Sequence, residues 1–249
     1  MGGAIAGGLF RNPDFPSGGI TVTARTQATL DRMKAACPGI SVTTDNPAAV
    51  SGAGLVIIAV KPWQIKEIIE EIRPAADWSG CAVASVAAGI SFAEIRQMFP
   101  EAHALLRIIP NTAIALGKST TFIARDRVDN ETAEEIAGLF RAMGEVVEIP
   151  EEMMPAGTAL ASCGIAYALK YLDAAIKGGM ETGFGAEEAR RIVMKTMEGA
   201  LALMETNGTM PQTEIDKVTT PGGYTFRGLE AMEGHGFSDA VLQGLLHSM

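Results

Sequence analysis

The sequence contains few residues of the kinds that build disulfide frameworks or metal centres. Its three cysteines, Cys37, Cys81 and Cys163, are odd in number, lie far apart and form no CxxC pair, and its three histidines are equally scattered. The longest uncharged run, Met153 to Leu169, contains Pro155 and two glycines and is shorter than the roughly 20 apolar residues of a transmembrane helix. We therefore expect no disulfide scaffold, no metal site and no membrane span.

Positive charge is also scarce. Lys and Arg number 20 against 29 Asp and Glu, a net charge of −9 that repels phosphate backbones and argues against general nucleic-acid binding. The N-terminal stretch has no basic region ahead of its apolar residues and is too rich in glycine for a signal peptide. These features predict a cytoplasmic protein, and 249 residues with 47% hydrophobic content suffice for one large or two modest domains.

The first half of the chain alternates short β-branched runs with amphipathic stretches. The periodicity predicts strands at 20–24, 40–43, 55–60, 82–88, 104–109, 120–124 and 145–149, and helices at 27–36, 62–72, 92–99 and 130–143. Several of these strands are apolar on both faces, as in a parallel sheet covered by helices. The pattern is typical of a doubly wound α/β domain, which we assign to residues 1–149.

After Pro150 the strand pattern stops and long segments rich in Ala, Leu and Met follow. They predict helices at 155–182, 186–207, 222–233 and from Phe237 to the C-terminus, in a helical domain of residues 150–249. Helices this apolar need cover that about 100 residues cannot supply alone, so an intimate dimer is expected. The boundary near residue 150 is predicted to be a tight hinge.

Two short motifs near the start have the chemistry of a dinucleotide site. Met1-Gly2-Gly3-Ala4 resembles the end of the glycine-rich turn that places a pyrophosphate at a helix N-terminus, although a disordered start accounts for it equally well. Arg25-Thr26 follows the expected strand at 20–24, at a position where an NAD-preferring enzyme usually carries an acid. A guanidinium fits a 2′-phosphate and favours NADPH, with NADH as the alternative, unless Arg25 is only an exposed residue at a helix start.

Three later strands end in small, polar or proline-containing turns. These are Ala59-Val60-Lys61-Pro62, Ser85 to Gly89 and Arg107 to Thr112. Ligands bind at the carboxyl edge of such sheets, and small residues there let a nicotinamide ring approach the backbone.

The most informative stretch is Ile215 to Leu229, which contains TTPGGYT. Thr220 has the chemistry of an N-cap and Pro221 that of a first helical position, and the two following glycines leave backbone amides bare of side chains. This predicts an anion site for a small carboxylate, with Thr225 about one turn further on. A capped helix in a surface corner is the alternative.

Together, MGGAIAGGL, AVKP, SVAAG, RIIPNT and VTTPGGYTFRGLEAME resemble the pyrroline-5-carboxylate reductase family, in order along the whole chain. The resemblance implies a Rossmann-type domain that binds NAD(P)H and a helical domain that forms a homodimer, with a decamer as the higher assembly. It implies reduction of 1-pyrroline-5-carboxylate to L-proline, the last step of proline biosynthesis.

The resemblance also implies residue roles. The residues that would contact the cofactor are Met1, Gly2, Gly3, Ala4, Arg25, Thr26, Asn46, Ala59, Val60, Lys61, Pro62, Ala87, Ala88 and Gly89. The residues that would bind the substrate carboxylate and ring are Val218, Thr219, Thr220, Gly222, Gly223 and Thr225. Thr225, hydrogen-bonded to the imine nitrogen, is the catalytic candidate, while solvent or substrate supplies the proton.

Three departures from the family pattern are visible. The family's SGSGPAY is Ala161 to Tyr167 here, which lacks one Ser and the Pro, and its NTP is Asn111-Thr112-Ala113. The family also begins with a hydrophobic strand and a GxGN turn, and neither precedes Met1. We expect unpaired inner edges on two strands and weakened cofactor binding, and we predict that the motif's own methionine has been taken as the start codon.

Two other functions remain open at this point. A related imine or β-hydroxyacid reductase shares the two-domain plan, and Lys170 on the long helix is available as its catalytic lysine, without the motif that should surround it. A dimeric protein with a crippled cofactor site would act by binding alone.

Overall fold

The structure is a computed structural model that describes all 249 residues. Its backbone divides into two compact units, Met1–Ser162 and Cys163–Met249. The sequence places the domain boundary between residues 149 and 150, so the first turns of the predicted second domain fold with the first unit. That assignment of domains stays a prediction.

The first unit contains every strand of the molecule. The strands are β1 (Thr21–Thr23), β2 (Ser41–Thr43), β3 (Leu55–Ile58), β4 (Ala82–Ser85), β5 (Ala104–Ile109), β6 (Ser119–Asp126) and β7 (Gly144–Glu148). The α-helices are α1 (Gly2–Arg11), α2 (Gln27–Ala36), α3 (Asn46–Val50), α4 (Ile65–Ile72), α5 (Phe92–Met98), α6 (Asn130–Arg141) and α7 (Met154–Gly157). All seven predicted strands and four predicted helices are present, which confirms the Rossmann-type fold class.

The strands form two separate ladders. β1 pairs with β2 in parallel, while β3 to β7 form a five-stranded sheet in sequence order. β3, β4 and β5 are parallel, but β6 runs antiparallel to β5, which the expectation of a parallel sheet did not include. Eight residues long and joined to β5 by a short connection, β6 returns as the second arm of a hairpin-like pair, which requires no crossover helix.

Apolar spacing accounts for the helices that cover this sheet. In α4, Ile65, Ile69 and Ile72 lie on one face and are buried, as i, i+4 and i+7 positions should be. Asp129 begins α6 by accepting a hydrogen bond from the Thr132 amide, and Ser91 begins α5 with a capping box. Two hydrophobic clusters result, one on each face of the sheet.

A groove of about 1030 Å³ lies between the two ladders. Its walls include Thr21 to Ala24 from β1 and Leu55 to Val60 from β3, and α1 and α6 line it as well. β1 pairs only with β2, and β3 pairs only with β4, so the edges that face this groove carry backbone groups without a ladder partner. The expected unpaired inner edges are confirmed.

The second unit is entirely helical. It contains α8 (Gly164–Glu181), α9 (Ala186–Asn207), α10 (Pro211–Val218), α11 (Tyr224–Gly234) and α12 (Phe237–Leu246). Tyr167 links α8 to the chain end, since its hydroxyl donates to the Gly244 carbonyl at 3.1 Å. Many large apolar side chains of these helices are exposed, among them Leu169, Met194, Leu201, Leu203 and Leu242.

Two helix predictions in the C-terminal part are corrected, and one helix there was not predicted. The helix expected at 155–182 is interrupted by a π-helical stretch, Thr158–Cys163, that separates α7 from α8. The helix expected from Gly222 begins at Tyr224, because Gly222 has a positive φ of 71° and ends a turn closed by the Gly223 amide on the Thr220 carbonyl. Thr220 is therefore not the N-cap and Pro221 not the first helical residue. α10 was not predicted, although Pro211 at its first position is a helix-start signal.

Candidate functional site

The N-terminus of α1 lies against the carboxyl end of β3. A Cβ on Gly2 would come within 2.9 Å of the Ala59 Cβ, so only glycine fits this approach without movement. The first intrahelical hydrogen bonds run from the Ala4 and Ile5 amides to the Met1 carbonyl, which leaves the Gly2 and Gly3 amides without an acceptor in the helix. Bare amides at a helix N-terminus can bind a phosphate.

The groove brings together part of the predicted cofactor set. Gly2, Gly3, Asn46, Ala59 and Val60 all line it. The remaining members of the set lie outside its lining: Met1, Ala4, Arg25, Thr26, Lys61, Pro62, Ala87, Ala88 and Gly89. Thr132 and Glu135 of α6 also line the groove, and nothing in their sequence context singled them out.

Arg25 and Thr26 form an exposed corner between β1 and α2. Thr26 is the N-cap of α2, and its hydroxyl contacts the Thr29 hydroxyl at 2.9 Å rather than a backbone amide. Asn46, the first residue of α3, donates from Nδ2 to a Glu71 carboxylate oxygen at 2.9 Å. Arg25 has no hydrogen bond or ion pair within the chain, so its guanidinium is free to meet an anion.

The turns after β3 and β4 lie side by side at one edge of the sheet. Ile58 pairs with Ser85 in the parallel register, and the Val86 amide donates to the Ile58 carbonyl at 3.2 Å. Ala59 to Pro62 and Ala87 to Gly89 continue from these strand ends. Gly89 has a φ of 79°, a left-handed conformation that favours glycine. This edge can accept a flat ring close to the backbone.

The predicted substrate residues lie in the second unit, on the turn between α10 and α11. The Thr219 hydroxyl donates to the Ile215 carbonyl at 2.7 Å and is thereby occupied. Gly223 cannot carry a Cβ without meeting the Thr220 Oγ1 at 2.5 Å. Thr225 is exposed in the first turn of α11, where the amides of Tyr224, Thr225 and Phe226 precede the first helical bond from Arg227 to Gly223.

The amides left free at this turn differ from those that the sequence indicates. The pattern pointed to Gly222 and Gly223, whereas the Gly223 amide is used within the turn and the free amides belong to the next three residues. The paired glycines were the signal for this turn, but their dihedral angles were needed to place the helix start. Val218 is exposed at the end of α10.

A carboxylate just before this turn is strongly stabilised in its charged form. Glu214 Oε1 accepts hydrogen bonds from Lys217 Nζ at 2.6 Å, Thr209 Oγ1 at 2.6 Å and Asn207 Nδ2 at 3.1 Å. Together these donors, with Lys217 the largest contributor, lower the pKa of Glu214 to about 2. Glu214 is therefore ionised at neutral pH, and it ties α10 to the end of α9.

Metal-ligating side chains are not clustered. No group of three or more His, Cys, Asp or Glu residues could hold a metal ion. Lys170, the lysine that a β-hydroxyacid reductase would use, is exposed on α8.

Two family models match the chain, one in each part. Residues 151–249 match the model described as pyrroline-5-carboxylate reductase dimerisation. Residues 1–89 match the model described as NADP oxidoreductase, coenzyme F420-dependent.

Curated relatives extend this likeness to the whole chain. Pyrroline-5-carboxylate reductase 2 of Dictyostelium discoideum is 33% identical over 263 residues, an alignment that covers 100% of this chain and 87% of the relative. The chain belongs to the pyrroline-5-carboxylate reductase family. Pyrroline-5-carboxylate reductase 1 of the same organism is 36% identical over 260 residues, and the chain spans 47% of the length of that relative.

Solved structures agree on the architecture. A pyrroline-5-carboxylate reductase from Coxiella burnetii superposes with a TM-score of 0.89 at 27% identity, covering 98% of this chain and 91% of that one. The Plasmodium falciparum pyrroline carboxylate reductase, described with NADP bound, superposes with a TM-score of 0.90 at 20% identity, covering 100% and 91%. At 20% identity, the similarity to the Plasmodium falciparum structure shows a shared fold.

The dimerisation match explains the exposed apolar surface of the helical part and indicates a homo-oligomer. Taken together with its π-helical segment, the helical stretch Glu151–Glu181 is long enough and, with a mean hydropathy of 1.2, apolar enough to cross a membrane by length and composition alone. Because it lies within the dimerisation match, a subunit interface accounts for its exposed apolar side chains.

Proposed function

We propose that this chain reduces 1-pyrroline-5-carboxylate to L-proline with NADPH, as the last step of proline biosynthesis. The observation that carries the proposal is the alignment with a named reductase over 87% of that relative's length, which includes the turn before α11. Thr220 to Thr225 supplies free helix amides and a hydroxyl there, the chemistry that a small cyclic amino acid precursor requires.

The residues around α1 fit a dinucleotide. Gly2 approaches Ala59 as closely as a glycine allows, and the Gly2 and Gly3 amides are available for the pyrophosphate. The unpaired Arg25 guanidinium with the Thr26 hydroxyl suits the 2′-phosphate of NADPH better than the free ribose of NADH. Asn46 would lie near the adenosine.

The turn after β3, at Ala59 to Pro62, and the turn after β4, at Ala87 to Gly89, would line the nicotinamide. When bound, NADPH supplies the hydride that reduces the carbon of the C=N bond, while the ring nitrogen takes one proton from solvent or substrate. The amides of α11 would hold the substrate carboxylate, and Thr225 would orient the imine nitrogen through a hydrogen bond. Val218 and Thr219 would shape the ring pocket, Val218 through its apolar side chain.

The assembly and location follow from the same proposal. The exposed helices Gly164–Glu181 and Ala186–Asn207 would pair across a homodimer, and dimers would assemble further into a decamer. The protein would act in the cytoplasm. Light scattering after size exclusion gives the mass, and a monomer at micromolar concentration would contradict the dimer.

The decisive experiment measures NADPH oxidation at 340 nm with 1-pyrroline-5-carboxylate, with proline identified as the product. We expect turnover that depends on both substrates and is faster with NADPH than with NADH. Binding of NADPH without turnover of this imine would favour a related imine reductase. Absence of both binding and turnover would contradict the proposal.

A further inference from the structure

The segment that follows β7 and continues into the π-helical stretch packs against the rest of the first unit. Met154 is 1% exposed and belongs to the core cluster that contains Phe122. A Cβ on Gly157 would lie 2.9 Å from the Phe122 ring, so the segment runs directly over β6. The Ser162 hydroxyl donates to the Pro110 carbonyl at 3.3 Å. This connector, Glu151–Ser162, thus contacts the first unit at Met154, Gly157 and Ser162.

Glu151, the first residue of the connector, makes two contacts with one carboxylate oxygen. Its Oε1 accepts from Arg107 Nη1 at 2.9 Å and from the Phe92 amide at 2.6 Å. The Arg107 side chain is only 8% exposed, and its Nε has no hydrogen-bond partner. Glu151 therefore forms the ion pair with a buried guanidinium on β5, and the Glu94 carboxylate is near enough to interact with the same charge.

The Phe92 contact places Glu151 at the end of the loop that follows β4. Phe92 is the first residue of α5, and Ser91 before it is already fixed by its capping box with Glu94. At the other end of the loop, Ser85 Oγ accepts from the Ala87 amide at 3.3 Å. The loop from Val86 to Ser91 is consequently held at both ends by buried or half-buried side chains.

The two contacts of Glu151 have different consequences. The capping box at the start of α5 satisfies the Ser91 and Glu94 amides, and Glu151 supplies the acceptor that the Phe92 amide otherwise lacks. An ion pair between a buried arginine and a half-buried glutamate is weak as a source of net stability, because desolvation offsets the attraction. What the pair does supply is a defined position, since one oxygen joins the connector, the central strand β5 and the loop after β4.

We propose that Glu151 is a positioning residue for the loop Ala87–Gly89, holding its backbone at the spacing that the nicotinamide half of the dinucleotide requires. The inference rests on the proposed function, which places the nicotinamide beside this loop. Glu151 acts through the Phe92 amide and Arg107 and does not touch the cofactor itself. Loss of its charge should therefore affect only one end of the cofactor.

The test compares two ligands on the purified full chain. NADPH contains the nicotinamide, whereas adenosine 2′,5′-bisphosphate contains only the adenosine end. For Glu151→Gln, which keeps an oxygen for the Phe92 amide but removes the charge that pairs with Arg107, we expect the Kd for NADPH to rise about tenfold. The Kd for adenosine 2′,5′-bisphosphate should stay within twofold of the unmodified chain.

Two further variants complete the design. Glu152→Gln changes the neighbouring exposed carboxylate, which has no ion pair, and should leave both Kd values unchanged. Ser85→Ala releases the other end of the loop and should reproduce the selective loss for NADPH. If Glu151→Gln does not fold, Ser85→Ala still tests whether the position of this loop controls NADPH binding. All titrations are made well below each variant's Tm.

The outcomes separate the two proposals. Equal NADPH affinity in the unmodified chain and in Glu151→Gln overturns the positioning role, whatever Ser85→Ala shows. An equal loss for both ligands overturns it too, because it marks general destabilisation. An unmodified chain that binds adenosine 2′,5′-bisphosphate but not NADPH overturns it too. If the unmodified chain binds neither ligand, the proposed function itself fails.

Discussion

Thr225 lies in the first turn of α11, exposed, beside amides that no helical carbonyl reaches. The sequence pointed to this threonine through the two glycines that precede it, but it placed the helix start two residues too early. The positive φ of Gly222 decides where the helix starts. Either glycine of the pair could adopt a positive φ, so the sequence does not show which of them does. The identity of the side chain was thus predictable, whereas its position in the helix was not.

Replacement of Thr225 by alanine should lower kcat for 1-pyrroline-5-carboxylate by about tenfold or more. One hydrogen bond that orients the imine nitrogen contributes on the order of 1–2 kcal/mol, and about 1.4 kcal/mol corresponds to a factor of ten in rate. Thr225→Ser should keep most of the activity because the hydroxyl remains. Thr213→Ala, on the exposed surface of α10, is the matched control, and steady-state kinetics give kcat and KM for each. Full kcat in Thr225→Ala would remove this residue from the mechanism.

At the scale of elements, the start of β7 depends on a conformation that only glycine adopts easily. Gly144 has a φ of 137°, and a Cβ there would lie 2.1 Å from the Ser119 carbonyl oxygen on β6. The sequence placed β7 within one residue of its observed start, but the close approach to β6 is a tertiary contact. The antiparallel direction of β6 was likewise not visible, because a strand that is apolar on both faces has the same pattern in either direction.

Gly144→Ala should lower the free energy of unfolding by about 2 kcal/mol or more, since the backbone is strained and the clash is with main-chain atoms that cannot move aside. Gly138→Ala is the matched control. It lies inside α6 with open space around its Cβ position, so alanine there should raise the free energy of unfolding by about 0.5–1 kcal/mol. Urea denaturation measures both, and equal effects of the two substitutions would contradict this explanation.

At the scale of the whole molecule, the groove between β1 and β3 is the largest departure from a continuous sheet. Its walls are mostly apolar, its edges carry free backbone groups, and the start of α1 lies at the carboxyl end of β3. A strand that entered parallel to both neighbours and turned directly into α1 would satisfy both edges at once.

An extension of about six β-branched residues and a short glycine turn, fused ahead of Met1, should therefore raise Tm by several degrees. Each kcal/mol gained corresponds to about 2–4 °C for a chain of this size. Amides of β1 and β3 should also become more protected from hydrogen exchange. A Gly/Ser extension of equal length is the control, and equal Tm and protection for the two fusions would show that the groove does not accept a strand.

The sequence by itself determined the fold class, the strand and helix pattern of the first part, the helical character of the second and the family. These features depend on local periodicity, on glycine and proline signals and on short motifs, all of which are properties of neighbouring residues. Only the tertiary structure decided the helix start at Tyr224, the π-helical interruption after α7, the direction of β6 and the meeting of Glu151 with Arg107 and Phe92. Each of these features depends on contacts between residues distant in sequence or on a backbone conformation that more than one residue could adopt. Local preferences leave such alternatives nearly equal in energy, and tertiary packing selects one of them.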